Sequence, residues 1–88
     1  MDYVYVLLSL KDKKFYTGIT SDLRRRLEEH NTGKCFSTAP RRPFKIIYYE
    51  AYIYRQDAES REKYLKTNIG RRTLKKQLKY LIESLRVS

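Results

Sequence analysis

The chain has no tryptophan, one cysteine, one histidine, two prolines and three glycines among its 88 residues. A lone Cys35 excludes an internal disulfide, and with His30 as the only imidazole there is no paired Cys/His spacing for a zinc site. A reducing, cytoplasmic compartment is therefore expected. No apolar run approaches the roughly 20 residues that cross a bilayer. Met1-Asp2-Tyr3 begins with an acid where a secretion signal carries a basic region, so neither membrane insertion nor export is expected. Acids are scarce as well: ten Asp and Glu against twenty Lys and Arg leave a formal charge of +10. With 41% hydrophobic residues, this is the balance of a folded domain that attracts anions, not of a disordered chain.

Eighty-eight residues leave room for a single domain, 1–88, with a core that buries only about 60–65% of the unfolded surface. Tyr3 to Leu8 is β-branched, aromatic and apolar on both parities, which predicts a central strand covered on both faces. Residues 9–14 are polar and turn-like, and Phe15 to Ile19 resumes strand composition, so the two runs form a hairpin. Thr20 or Ser21 is expected to cap a helix over about 21–32, with Asp22 in its first turn, Leu23 and Leu27 one turn apart, and Gly33 at its C-terminal stop. A loop follows to Pro43, and Phe44 to Ile53 is a third strand. Asp57 opens a helix whose stripe is Ala58, Glu62, Leu65 and Ile69, with Gly70 ending it. A last helix over about 72–85 is periodic at Leu74, Leu78, Leu81, Ile82 and Leu85. The expected fold is α/β of the α+β kind: a small three-stranded sheet flanked by helices in the order β-β-α-β-α-α.

The excess charge is concentrated. Between residues 61 and 80, Arg61, Lys63, Lys66, Arg71, Arg72, Lys75, Lys76 and Lys79 stand against Glu62 alone. A single-sign patch of this size suits a nucleic acid, although a solvated helix surface has the same composition. Tyr5 and Tyr16 sit on the two hairpin strands with index parity that places them on one face, where two phenols can hold a water or a phosphate oxygen or simply pack. Arg26 and His30, four residues apart on one helix, put a fixed cation beside a proton acceptor. That pair suits phosphate chemistry, and a helix-end His beside a solvated Arg is the alternative. Glu62 interrupts an apolar stripe. A carboxylate there needs a cation, either a lysine or arginine from the sheet side or a Mg²⁺-like ion completed by waters and substrate phosphate.

In order along nearly the whole chain, these residues resemble the GIY-YIG nuclease family, in particular its short single-domain members. Tyr3-Val4-Tyr5 stands for the GIY triplet and Tyr16-Thr17-Gly18 for YIG. Arg26 falls at the family's helix arginine, followed by His30-Asn31, and Ala58 to Glu62 resembles the segment bearing the metal-binding glutamate. The first Gly of GIY is replaced by Tyr3, the Ile of YIG by Thr17, and the family's later Asn is matched by Asn68 or by nothing. The resemblance implies Mg²⁺- or Mn²⁺-dependent hydrolysis of DNA phosphodiesters, with Tyr5 or His30 as base, Tyr16 positioning, Arg26 on the phosphate and Glu62 on the metal. It further implies work in repair or recombination, with DNA, or RNA, as substrate and a larger protein as partner. The competing expectation is a catalytically silent nucleic-acid-binding module that uses the basic 61–80 surface.

Overall fold

A computed structural model describes residues 1–87. The elements are β1 (Asp2–Ser9), β2 (Phe15–Thr20), α1 (Leu23–Asn31), a single 3₁₀ turn at Ala39–Arg41, β3 (Phe44–Tyr52), α2 (Arg55–Leu65), α3 (Asn68–Gln77) and α4 (Lys79–Val87). The sheet order is β2-β1-β3, antiparallel throughout, so β1 is central. This explains why Val4 to Leu8 is apolar at every position: all five side chains are buried, on alternate faces. Val4 and Val6 pack with Ala58, Leu65 and Leu74 of α2 and α3. Tyr5 and Leu7 pack with Phe44, Tyr16, Leu23 and Leu27, beneath α1. The result is a three-layer sandwich of helix, sheet and helices.

The pairing of β1 with β2 sets Tyr5 opposite Gly18 and Leu7 opposite Tyr16, so the two phenols do share a face. An irregularity in the β1–β3 ladder between Val6 and Leu7 leaves Ile47 as an extra residue. α1 starts one residue after Asp22, whose Oδ1 accepts from the Arg25 amide at 3.1 Å. Asp22 is thus the cap and not a first-turn residue. The Thr20 hydroxyl accepts from the Asp22 amide instead, which holds the chain extended until the helix begins. Gly33 takes a φ of +82° just past the α1 C-cap, as the C-terminal stop requires.

The C-terminal third holds three helices where two were expected. The stripe Ala58, Glu62, Leu65 does not continue to Ile69, which is 63% exposed. α2 ends at Leu65, and Thr67 caps α3 by accepting from the Gly70 amide at 3.0 Å. Gly70 therefore lies in the first turn of α3 and ends nothing. Its role is steric: a Cβ built there would sit 2.7 Å from the Tyr64 carbonyl carbon and 2.9 Å from Leu65 Cα, so a hydrogen is needed where α3 crosses the end of α2. A second break at Leu78 (φ −101°, ψ 34°) separates α3 from α4. Among the described residues no helix is long and apolar enough to cross a membrane.

Candidate active site

Four of the sequence-selected residues meet on the α1 face of the sheet. Tyr5 is 2% exposed and points from the central strand toward the last turn of α1. Its ring lies over Gly18 on β2, where a Cβ would come within 2.5 Å of Tyr5 Cζ. Only a glycine opposite leaves room for the phenol. The Tyr5 hydroxyl lies 2.9 Å from His30 Nε2 and accepts from Arg26 Nε at 3.4 Å. Arg26 is further held by Glu29 at 3.2 Å, and its side chain is 37% exposed. Tyr16 closes the cluster, its ring centroid 5.1 Å from His30 and 6.5 Å from Tyr5. Phe44, 5.7 Å from His30 on the remaining side, completes an aromatic cage about the imidazole.

His30 itself is fully buried, and its Nδ1 is 2.8 Å from Thr38 Oγ1. Thr38, 1% exposed, sits in the α1–β3 loop and donates to the Cys35 carbonyl at 3.3 Å. No residue pattern singles Thr38 out, since it is one turn former among several between Thr32 and Pro43. Asn31 was legible only as His30's neighbour. It clamps the start of β3, its Oδ1 accepting from the Phe44 amide at 2.6 Å and its Nδ2 donating to the Phe44 carbonyl at 3.0 Å.

The electrostatics follow from burial beside a guanidinium. Burial pushes the Tyr5 phenol up to about 12, against the pull of the Arg26 hydrogen bond. Burial, and then the Arg26 charge, push His30 below its ordinary value, so the imidazole is neutral at pH 7 and able to accept a proton. Arg26 is held above its usual range by the bond to Tyr5 and by Glu29, burial working against both.

Glu62 projects from α2, which packs on the opposite face of the sheet against β1 and β2. Its side chain is 19% exposed and pairs with Lys66, one turn along the same helix, at 3.2 Å, so its cation comes from α2 and not from the sheet side. Among the described residues no three His, Cys, Asp or Glu side chains cluster. A divalent ion would thus have one protein carboxylate, with water and substrate phosphate completing its shell, and a hard oxygen-loving ion such as Mg²⁺ or Mn²⁺ fits that donor set. The competing Lys66 is half exposed, and an exposed i,i+4 pair contributes only about 0.3–0.5 kcal/mol.

The basic residues divide. Arg61 is drawn into a cluster in which Nε and Nη2 donate to Glu50 at 3.1–3.2 Å, and Tyr48 and Tyr52 donate to the same carboxylate. Burial pushes the Glu50 carboxyl up, but those donors outweigh it and leave it below its ordinary value. Lys63, Arg72 and Lys76 are exposed, and Asn68 is the exposed first residue of α3. Lys66, Arg71 and Lys75 instead line an open groove of about 780 Å³ floored by Phe15, Leu65, Leu74 and Ile82 and shared with Lys13, Lys14 and Arg41 of the hairpin and loop. The three hairpin-side cations carry no clustering signal in sequence, because they lie far along the chain from the α2–α3 block.

A model of the GIY-YIG catalytic domain matches residues 1–76. The chain belongs to the GIY-YIG family. Short members of this nuclease family are its relatives: a UPF0213 protein of Clostridium perfringens is 43% identical over 68 residues, 75% of this chain and 71% of the relative. One of Streptococcus pyogenes serotype M5 is 40% identical over 80 residues, 90% and 83% of the two chains. The solution NMR structure of a UPF0213 protein from Bacillus halodurans superposes with a TM-score of 0.51 at 33% identity, covering 84% of this chain and 82% of that one. The matched segment contains Tyr5, Tyr16 and Gly18, the residue that admits the Tyr5 ring.

Proposed function

We propose that this GIY-YIG protein is a divalent-metal-dependent endonuclease that hydrolyses DNA phosphodiester bonds. The observation that carries the reading is the buried chain Arg26–Tyr5–His30, in which a guanidinium and a neutral imidazole contact the same phenol oxygen. A scissile phosphate meets the exposed part of Arg26, whose fork offsets the charge that builds on the equatorial oxygens. Water enters beside Tyr16. As its oxygen bonds to phosphorus, its proton passes to Tyr5 and the Tyr5 hydroxyl proton passes to His30 Nε2. The P–O3′ bond breaks, and the leaving oxygen is protonated from solvent. Tyr5 is thus the base that faces the water and His30 the reservoir behind it. Glu62 would hold the divalent ion, which when bound would supply Lewis-acid stabilisation of the leaving oxygen. The groove with Lys66, Arg71 and Lys75 supplies the sequence-independent hold on the backbone. Its setting in this reading is repair or recombination, in company with a larger protein that chooses the DNA.

One observation favours a second reading. The only cation that touches Glu62 among the described residues is Lys66, and a silent binding module would keep that pair in every state. Incubation with supercoiled plasmid and with branched and single-stranded oligonucleotides, in Mg²⁺, Mn²⁺ or EDTA, separates the two. Metal-dependent cutting lost in both Glu62→Ala and Arg26→Ala, with the fold intact, is expected. Retained cutting in both variants refutes the mechanism, and salt-sensitive binding without cutting supports the binding module.

A further inference from the structure

The four donors around His30 have a single arrangement that leaves none of them stranded. They are Arg26 Nε–H, the Tyr5 hydroxyl, one imidazole N–H and the Thr38 hydroxyl, and their acceptors are the Tyr5 oxygen, the free imidazole nitrogen, the Thr38 oxygen and the Cys35 carbonyl. With the proton on Nδ1, Arg26 donates to Tyr5, Tyr5 to Nε2, Nδ1–H to Thr38, and Thr38 to Cys35. Every donor is used. With the proton on Nε2, both Arg26 and His30 donate to the Tyr5 oxygen, Thr38 turns to Nδ1, and the Tyr5 hydroxyl proton is left without a protein acceptor.

We propose that Thr38 is a positioning residue that locks His30 in its Nδ1–H tautomer, so that Nε2 presents its lone pair to Tyr5. The lock is a buried side-chain acceptor carried by a loop, and the loop is braced at that point: the Thr38 and Ala39 amides both donate to the Cys35 carbonyl, at 3.1 and 2.9 Å. The hydroxyl of Thr38 is thereby oriented with its proton toward the backbone and its lone pair toward the imidazole. Thr38 touches neither substrate nor metal and acts only through His30. Its effect on rate rests on the hydrolytic reading above, whereas the tautomer does not depend on it.

The test compares wild type with Thr38→Val, which keeps the shape and removes the hydroxyl, and with Thr38→Ser, which restores it. Long-range ¹H–¹⁵N spectra at neutral pH report which ring nitrogen of the single histidine carries the proton. The expected results are Nδ1–H in wild type and Thr38→Ser, and Nε2–H in Thr38→Val. Cutting should fall about 100-fold in Thr38→Val, the lower end of what a positioned proton acceptor supplies, with unchanged KM and rescue by serine. Nε2–H in wild type overturns the proposal, as does Nδ1–H persisting in Thr38→Val or wild-type cutting by that variant. Should Thr38→Val not fold, Thr38→Ala beside the wild-type spectrum reaches the same decision. If wild type cuts no DNA, the hydrolytic reading falls and the tautomer spectra alone decide the lock.

Discussion

Replacing Gly18 by alanine asks whether the Tyr5 ring is held where the site needs it. The new Cβ would lie 2.5 Å from Tyr5 Cζ and 3.0 Å from Cε1, with the hydroxyl nearer still. Carbon contacts prefer about 3.5–4.0 Å, so the ring must retreat by about 1 Å. That movement opens the 2.9 Å bond to His30 Nε2 beyond hydrogen-bonding range and leaves a buried nitrogen without its donor. Overpacking costs about 1–3 kcal/mol and the broken buried bond a further 1–3 kcal/mol, so a total of about 2 kcal/mol or more is expected. In a domain of this size that corresponds to a fall in Tm of about 8 °C or more. Urea denaturation and thermal melts followed by circular dichroism measure it, and plasmid cutting measures the displaced hydroxyl. In a Tyr5→Leu background, where the ring atoms are gone, Gly18→Ala should cost little, so the two substitutions couple strongly. A Gly18→Ala protein that melts within about 3 °C of wild type and cuts at the same rate would refute the steric argument.

Gly70→Ala should be at least as damaging, about 3 kcal/mol by urea denaturation, because the atoms it meets are the backbone of Tyr64 and Leu65 and not a movable side chain. Equal stability would show that α3 does not pass over α2 as described. His30 is depressed by burial and by Arg26, so the unfolded state binds its proton more readily. Its stabilising contribution is present above the ordinary value of 6.5 and is lost as pH falls from there through the folded-state value. Melts from pH 8 to pH 5 should therefore decline on the acid side, and less steeply in His30→Gln; identical profiles would contradict the assignment. Substituting Lys66, Arg71 and Lys75 together by alanine should lower the slope of log affinity against log salt on duplex DNA by about 2–3, read by fluorescence anisotropy, and an unchanged slope would remove the groove from the binding surface.

The β-rich half was legible because its signals are local. Val4 to Leu8 can only be a strand covered on both faces, and the parity of Tyr5 and Tyr16 follows from a hairpin joined by an even number of residues. Helix ends were harder. Asp22, Ser21 and Thr20 are all good caps, and only the tertiary path of the chain chooses Asp22. Gly70 was misread because a glycine after an apolar stripe signals a stop, whereas here it permits the close crossing of two helices, a long-range fact that no window of sequence contains. The cluster of Tyr5, Tyr16, Arg26 and His30 was readable from spacing and family resemblance. Thr38 was not, since its importance comes from burial against an imidazole that a turn brings back to it. The same holds for Arg61, whose charge reads as surface but meets Glu50 on the neighbouring strand.

The Asn31 side chain offers Phe44 the donor and acceptor that an adjacent strand would have offered, and so ties both ends of the α1–β3 connection at one point. The residues between become a closed ring hung on a clasp. Changes in ring length then need not move either support, which leaves the connection free to be lengthened, shortened or grafted between relatives provided that one hydroxyl still returns to the imidazole. In such a chain an exposed connection and an anchor of the candidate site belong to the same short segment, and the one can be altered while β1 and α1 stay as they are.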